Sequence, residues 1–189
     1  MRQKDLLTNV LSVLFLVVVL VQMVFTILIW RDVQILKRQS TMVPALLAES
    51  SSLFRNGEKM PSFLFTDLSG RVRRVDEWRG HPLLVIFASH ECSACRKMYE
   101  TLGTFLKRNP DLSVVIITAD SPERNQKFLQ DHRLLDLDAL TVGNIAETDW
   151  LALNIVATPT LVLVKADGVI TNVWLGYGDA LWLEIESAY

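Results

Sequence analysis

The longest apolar stretch of the sequence lies near its N-terminus and restricts what the chain can form there. Residues 6–30 contain no formally charged side chain, whereas Asp5 precedes the stretch and Arg31 follows it. A helix of about 20 residues crosses the roughly 30 Å hydrocarbon core of a bilayer. Trp30 lies where an interfacial aromatic residue belongs. The stretch therefore predicts a single transmembrane anchor over residues 6–30, preceded by a short tail over residues 1–5.

The alternative interpretation is a cleaved signal peptide. Such a peptide has an apolar region of about 7–15 residues followed by a cleavage site with small side chains. The apolar stretch here is longer, and Ile29-Trp30-Arg31 provides no small residue at its end. The sequence thus favours an uncleaved anchor.

Positive charges flank the predicted anchor on both sides, so charge alone gives no clear orientation. They are Arg2 and Lys4 before it, and Arg31, Lys37 and Arg38 after it. The short N-terminal tail is easily left in the cytoplasm. We therefore expect a single-pass protein of the cell membrane, with everything after Trp30 in the periplasm or otherwise outside the cytoplasm.

The 189 residues suffice for one ordinary domain and an anchor. Pro44, three consecutive serines from Ser50 and the pair Asn56-Gly57 indicate a linker over residues 31–59, which leaves residues 60–189 for the domain. A formal net charge of -2 and the lack of a clustered basic face argue against nucleic-acid binding.

Strand and helix patterns alternate along the predicted domain. Three continuous apolar runs, at residues 83–87, 113–117 and 160–164, are typical of strands buried on both faces. Helical spacing begins after Cys92, and Ser121-Pro122 has the form of a helix start. Hairpins are predicted over residues 63–75 and at Asp167-Gly168, and Asp179 is predicted to cap a final helix. The order predicts an α/β fold, with a central sheet covered on both faces and an N-terminal β-hairpin.

The two cysteines of the chain, Cys92 and Cys95, are separated by two residues at the junction of a strand and a helix. Unpaired N–H groups and the macrodipole at a helix N-terminus favour an anion and lower the pKa of a thiol there. Cys95, one turn further on, is placed to attack a mixed disulfide formed at Cys92. His90 and Glu91 are candidate modulators of the Cys92 pKa, acting in opposite directions.

The sequence gives less support to other roles for the cysteine pair. A zinc site takes about four ligands, but there is no second cysteine pair and the three histidines are scattered, so no metal and no other cofactor is expected. A structural disulfide would close a very short loop and stabilise the fold little. Thr158-Pro159 precedes the third buried strand, where a trans proline would be the ordinary conformation.

The chain resembles the membrane-tethered thioredoxin-like redoxins of the TlpA/ResA type, and also the MauD accessory proteins of methylamine dehydrogenase maturation. The resemblance covers about residues 60–189 and depends on Met60-Pro61-Ser62-Phe63, Asp67-Leu68-Ser69-Gly70, Arg79 to Phe87, Cys92-Ser93-Ala94-Cys95, Ala157-Thr158-Pro159-Thr160 and Asp167-Gly168. It implies a thioredoxin-like fold in an extracytoplasmic domain. It also implies that Cys92 attacks and Cys95 resolves, and that Pro159 is a cis proline which, with Thr158, binds substrate beside the pair.

Some positions depart from the pattern of these families. Glu91 replaces the usual tryptophan before the first cysteine, and Ala94 replaces the usual proline between the cysteines. Ile86 and Met98 stand where related proteins carry a proton-handling carboxylate. His90 or Glu91 is a candidate substitute for that carboxylate.

The leading hypothesis is a thiol–disulfide oxidoreductase that acts on disulfides of extracytoplasmic client proteins, by analogy in the reducing direction. Clients in the maturation of a redox enzyme, such as methylamine dehydrogenase or a c-type cytochrome, fit the resemblance. The predicted anchor contains no cysteine, so electrons would come from a separate membrane thiol–disulfide donor. The alternatives are a client-binding maturation factor without catalysis and an anchored module with a structural disulfide.

Overall fold

The computed structural model describes residues 53–189, together with Leu20, Gln22, Met23 and Thr26. The chain divides into two compact units, Met1–Ala45 and Leu46–Tyr189. In the first unit the four described residues are helical, and the Thr26 hydroxyl donates to the Gln22 carbonyl at 2.8 Å. The rest of the predicted anchor, and the predicted linker up to residue 52, lie outside the described residues. Within the described part of the chain, no helix is both long and apolar enough to cross a membrane.

The second unit is built on a seven-stranded mixed sheet. Its strands are β1 (Leu64–Asp67), β2 (Val72–Arg74), β3 (Leu83–Phe87), β4 (Ser113–Thr118), β5 (Leu140–Asn144), β6 (Thr160–Val164) and β7 (Ile170–Leu175). Their order across the sheet is β2-β1-β5-β4-β3-β6-β7. β3, β4 and β5 are parallel neighbours, whereas β6 and β7 on one side and β1 and β2 on the other are antiparallel.

The described part of this unit has three α-helices between strands, α1 (Ser93–Arg108), α2 (Pro122–Asp131) and α3 (Glu147–Ala152), and one after the last strand, α4 (Leu181–Ala188). A short 3₁₀ helix spans Val75–Trp78. The Ser121 side chain accepts the Arg124 N–H at the start of α2, as its sequence predicts. The interval of three to four residues between the buried side chains of α1 gives that helix one apolar face.

Alternate side chains of the central strands enter two separate cores. Leu84 and Ile86 of β3 pack on the face covered by α1, α2 and α4, whereas Val85 and Phe87 pack on the other face. All five residues of β3 are buried. Because successive strand residues point to opposite faces, an unbroken apolar run is what a strand covered on both sides requires. The predicted α/β architecture is confirmed.

Three details differ from the sequence-based expectation. Neither β5 nor α3 was predicted. The folded unit also begins before residue 60, because Phe54 is buried and stacks on Phe87, with 5.1 Å between ring centroids. Finally, α4 begins at Leu181 with Ala180 at its N-cap position, and no side chain caps it, so Asp179 does not fill the predicted role.

Candidate active site

The cysteine pair lies at the edge of the sheet where parallel strands end. β3 ends at Phe87, and Cys92 is the N-cap residue of α1, which follows directly. β4 runs parallel to β3 and ends at Thr118, so the loop after β4 reaches the same edge. In α/β folds, ligands bind at the carboxyl ends of the strands. Both cysteines are in the free thiol form.

The Cys92 sulfur is held by backbone groups from two elements. It accepts the Cys95 N–H at 3.1 Å, and its thiol donates to the Thr158 carbonyl at 3.2 Å. The Cys92 side chain thus caps α1 in the place of a serine or aspartate. Cys92 is half-buried and remains open to an attacking or attacked group, whereas Cys95 is fully buried.

The environment lowers the pKa of the Cys92 thiol. Partial burial acts in the opposite direction, but several hydrogen bonds to the sulfur together outweigh it. They come from the side chain and the backbone N–H of Cys95, the Thr158 side chain and the Ala94 backbone. The exposed sulfur is therefore the better nucleophile of the two.

The pKa of the Cys95 thiol moves in the other direction, to about 12. Burial is the main cause, and the hydrogen bond and charge of Cys92 add to it. The backbone N–H of Ser89 faces the Cys95 sulfur and offsets part of the increase. Cys95 is therefore a protonated thiol at neutral pH and must lose a proton before it can attack.

The peptide bond between Thr158 and Pro159 is cis, as the family resemblance implies. It brings the Thr158 carbonyl to the Cys92 sulfur just before β6 begins at Thr160. The predicted binding of substrate by Thr158 and Pro159 stays a prediction.

The side chain of His90, two residues before Cys92, is enclosed by the loop after β4 and by α2. Its Nε2 lies 2.6 Å from Oδ1 of Asn125 on α2 and 3.8 Å from Oδ2 of Asp120. Its backbone N–H also donates to Asp120 Oδ2 at 3.2 Å, and its ring stacks on Phe128 with 4.2 Å between centroids. Only 9% of the His90 side chain is exposed. Asn125 is fully buried and also accepts the Thr118 hydroxyl at 3.0 Å.

Glu91 points away from this enclosed site. Its side chain is 82% exposed, and its carboxylate lies 3.6 Å from the Arg124 guanidinium. Such a surface ion pair contributes little to stability. Arg124 also holds the Asp120 carboxylate at 3.0 Å. The proposed effect of His90 and Glu91 on the Cys92 pKa stays a prediction.

Tyr99 completes the buried polar surroundings of the pair. It is one turn beyond Cys95 on α1 and 2% exposed, and its hydroxyl has no hydrogen-bond partner among the described residues. Burial raises the pKa of this phenol well above its ordinary value, and the charges of Cys95, Asp120 and Cys92 raise it further. The hydroxyl therefore stays protonated beside the thiols.

The structure thus assembles Cys92, Cys95, Thr158, Pro159 and His90, all of which the sequence singles out. Asp120, Asn125 and Tyr99 were missed. The position of Asp120 two residues after β4, at the edge that also holds Cys92, was the signal for it. Among the described residues, no group of three or more histidine, cysteine, aspartate or glutamate side chains could hold a metal ion.

Comparisons with known proteins agree with this geometry. A family model for the thioredoxin-like domain matches residues 77–183. The methylamine utilization protein MauD of Paracoccus versutus is 26% identical over 140 residues, covering 74% of this chain and 68% of that protein. The thioredoxin domain of a thiol–disulfide oxidoreductase from Bacteroides vulgatus has a TM-score of 0.62 at 22% identity, covering 71% of this chain and 97% of that one. A putative thiol:disulfide interchange protein DsbE from Chlorobium tepidum has a TM-score of 0.61 at 20% identity, with 71% and 95% covered.

Proposed function

The chain belongs to the thioredoxin-like domain family, and from that premise we propose that it is a membrane-tethered thiol–disulfide oxidoreductase that reduces disulfides of extracytoplasmic client proteins. The observation that carries the proposal is the difference between the two thiols. Cys92 is accessible and held by hydrogen bonds that lower its pKa, whereas Cys95, one turn away, is buried with a pKa of about 12. A purely structural disulfide needs no such difference.

The geometry supports a reaction in two exchange steps. The Cys92 thiolate attacks one sulfur of the client disulfide, a bond forms between Cys92 and that sulfur, and the other client sulfur leaves as a thiolate that takes up a proton. Cys95 then loses its proton and attacks the Cys92 sulfur. The bond from Cys92 to the client breaks, and the second client thiolate leaves and is protonated. The client gains two electrons and two protons, and the enzyme is left with a Cys92–Cys95 disulfide.

A separate donor must restore the dithiol, since the chain contains no cysteine besides Cys92 and Cys95. We propose a membrane thiol–disulfide electron donor for this step. The anchor over residues 6–30 would hold the domain beside that donor, outside the cytoplasm as the family resemblance of the sequence implies.

The proposed client is a redox enzyme in the course of maturation. Similarity to a methylamine utilization protein supports methylamine dehydrogenase, and a c-type cytochrome is the second client of the same class. The direction of electron flow can be measured as the reduction potential of the pair. A value near roughly -300 mV supports a reductant, whereas one near roughly -120 mV would make the protein an oxidant.

The experiment that tests the activity uses full-length Cys95→Ser protein, purified after expression in cells that contain the clients. This variant keeps the nucleophile and lacks the resolving thiol, so it should accumulate mixed disulfides through Cys92, visible as adducts on a non-reducing gel. Cys92→Ser is the matched control and should form none. If Cys95→Ser traps no adduct, and Cys92→Ser leaves the maturation of the client intact, the protein is instead a binding factor or a module with a structural disulfide.

A further inference from the structure

Resolution of the mixed disulfide needs a proton acceptor, and the core around Cys95 is apolar. Ile86 and Met98 are buried in that core and provide no such group. Cys95 itself is a protonated thiol at neutral pH because of its burial. Some other group must accept its proton, since the thiolate is the attacking species.

The hydrogen bonds of the His90 ring define which nitrogen is free. Asn125 Oδ1, 2.6 Å from Nε2, is an acceptor, so Nε2 carries the proton in the neutral ring. Nδ1 then carries the lone pair. Nδ1 is buried and has no hydrogen-bond partner among the described residues. A bare, enclosed imidazole nitrogen with a fixed tautomer is the form of a general base that is ready to accept a proton.

The backbone of the residue before His90 contacts both cysteines. Ser89, the residue before His90, accepts the Cys92 N–H at 3.2 Å and presents its own N–H to the Cys95 sulfur. The His90 carbonyl also accepts a bond of 3.5 Å from Arg96 on the first turn of α1. The ring is therefore fixed at the helix N-terminus rather than on a mobile loop.

A carboxylate lies close to the ring. Asp120 Oδ2 lies 3.8 Å from Nε2, so a carboxylate is in place to stabilise an imidazolium. Arg124 pairs with the other oxygen of Asp120 at 3.0 Å. The titratable and charged groups nearest the ring are Asp120 after β4, Arg124, which pairs with Asp120, and His132, which stacks on the other side of Phe128. Arg96 contacts the His90 carbonyl, and Glu91 follows His90 in the sequence.

The other buried groups near the pair are unsuited to the task. Tyr99 keeps its phenol proton. Both carboxylate oxygens of Asp120 already have a partner: one pairs with Arg124, and the other accepts the His90 backbone N–H. Glu91 lies on the surface. His90 is the group that remains.

We propose that His90 is the proton acceptor for resolution of the mixed disulfide, with Asn125 and Asp120 as the residues that position it. This inference rests on the proposed oxidoreductase function. In the step, the Cys95 S–H bond breaks and its electron pair forms the bond to the Cys92 sulfur. The bond between Cys92 and the client sulfur breaks. The proton passes through one water to His90 Nδ1, and then to the departing client thiolate, so that the ring ends neutral.

Stoichiometric Ellman's reagent separates the two steps in the full-length protein in detergent. Attack by Cys92 releases a first thionitrobenzoate, and resolution by Cys95 releases a second in a unimolecular reaction. His90→Asn should slow the second release far more than the first. The substitution should slow the second release about 100-fold at pH 7, which is the lower end of the range for general acid–base catalysis. The rate of the second release should then rise in proportion to hydroxide concentration. Asp120→Asn should give a smaller loss in the second release.

His132→Asn is the matched control, since His132 stacks on the same Phe128 ring but makes no contact with Asn125 or Asp120. It should leave both releases unchanged. An unaltered pH profile of the second release in His90→Asn would overturn the proposal, as would an equal slowing of both releases. If the unmodified protein shows no first release, the proposed oxidoreductase function has failed instead.

A measurement on the unmodified chain covers the case in which His90→Asn does not fold. The NMR signal of the His90 ring is followed against pH in the dithiol and disulfide forms. The Cys92 thiolate carries a charge that the disulfide lacks, so a ring close to the pair should titrate at a different midpoint in each form. Identical midpoints would place the ring too far from the pair for the proposed role.

Discussion

At the scale of single residues, the pKa of Cys92 lies below the ordinary thiol value and that of Cys95 lies above it, although only two residues separate them. The cause is position. Cys92 has the N-cap place with hydrogen bonds directed at its sulfur, while Cys95 faces the core formed by Ile86, Met98 and Tyr99. The same short segment thus provides a nucleophilic thiol, Cys92, and a resolving thiol, Cys95.

This difference predicts selective alkylation. With a pKa of about 12, Cys95 is a thiolate in only roughly one of 10,000 molecules at pH 8. Iodoacetamide should therefore add once, at Cys92, to the native reduced protein and twice only in denaturant, as mass spectrometry would show. The midpoint of the Cys92 rate against pH should lie below the ordinary value for a thiol, because the net effect on its pKa is a decrease.

Variants at Cys95 identify the cause of that decrease. Cys95→Ala removes the side-chain donor to the Cys92 sulfur and should move the midpoint to higher pH, whereas Cys95→Ser keeps a hydroxyl donor and should move it less. Two adducts forming at equal rates in native protein would contradict the assigned burial of Cys95.

The functional residues were predictable from the sequence where they are neighbours along the chain. The Cys-x-x-Cys spacing and the strand-to-helix junction define Cys92 and Cys95 within a few residues. The partners of His90 were not predictable in this way, since Asp120 and Asn125 follow it by 30 and 35 residues. Their contact depends on the parallel register of β3 and β4, which no local pattern reports.

At the scale of elements, strands buried on both faces were predictable, and partly exposed elements were not. β3, β4 and β6 are short, continuous apolar runs, and such runs are typical of strands buried on both faces. β5 has the sequence Leu-Thr-Val-Gly-Asn with only two buried residues, and α3 has six residues, none of them buried. Neither shows an apolar stripe or alternation, so tertiary contacts rather than local pattern determine them.

The contact of β1 with β5 predicts a specific sensitivity at Gly143. A Cβ there would lie 2.8 Å from the Thr66 carbonyl oxygen and would overlap the Phe65 ring. Gly143→Ala should therefore lower the free energy of unfolding by about 1–3 kcal/mol, the usual cost of overpacking. Urea denaturation of the full-length protein would show a lower midpoint at an unchanged slope.

Gly178→Ala is the matched control for Gly143→Ala. A Cβ at Gly178 meets nothing within 4 Å, and the backbone of that residue is not in the left-handed region. Its midpoint should remain that of the unmodified protein. Equal midpoints for all three proteins would mean that β1 and β5 do not pack as closely as described.

At the scale of the whole molecule, function depends on which compartment receives the folded unit. The pair can meet extracytoplasmic disulfides only if residues after the predicted anchor are outside the cytoplasm, and the charges on either side of residues 6–30 leave the orientation almost balanced. The short tail over residues 1–5 favours the cytoplasm for the N-terminus. The thiol difference makes this testable, because only Cys92 is open to reagents in the native protein.

Intact cells treated with an impermeant reductant and then with an impermeant maleimide should therefore label the full-length chain at Cys92. Cys92→Ser should remain unlabelled, because its remaining thiol is buried. The labelled chain should stay in the membrane fraction after carbonate extraction, as an uncleaved anchor requires, whereas a processed signal peptide would release it. Labelling only after lysis would place the domain in the cytoplasm. The extracytoplasmic clients and the membrane electron donor would then both be excluded, while the exchange chemistry of the pair would stand.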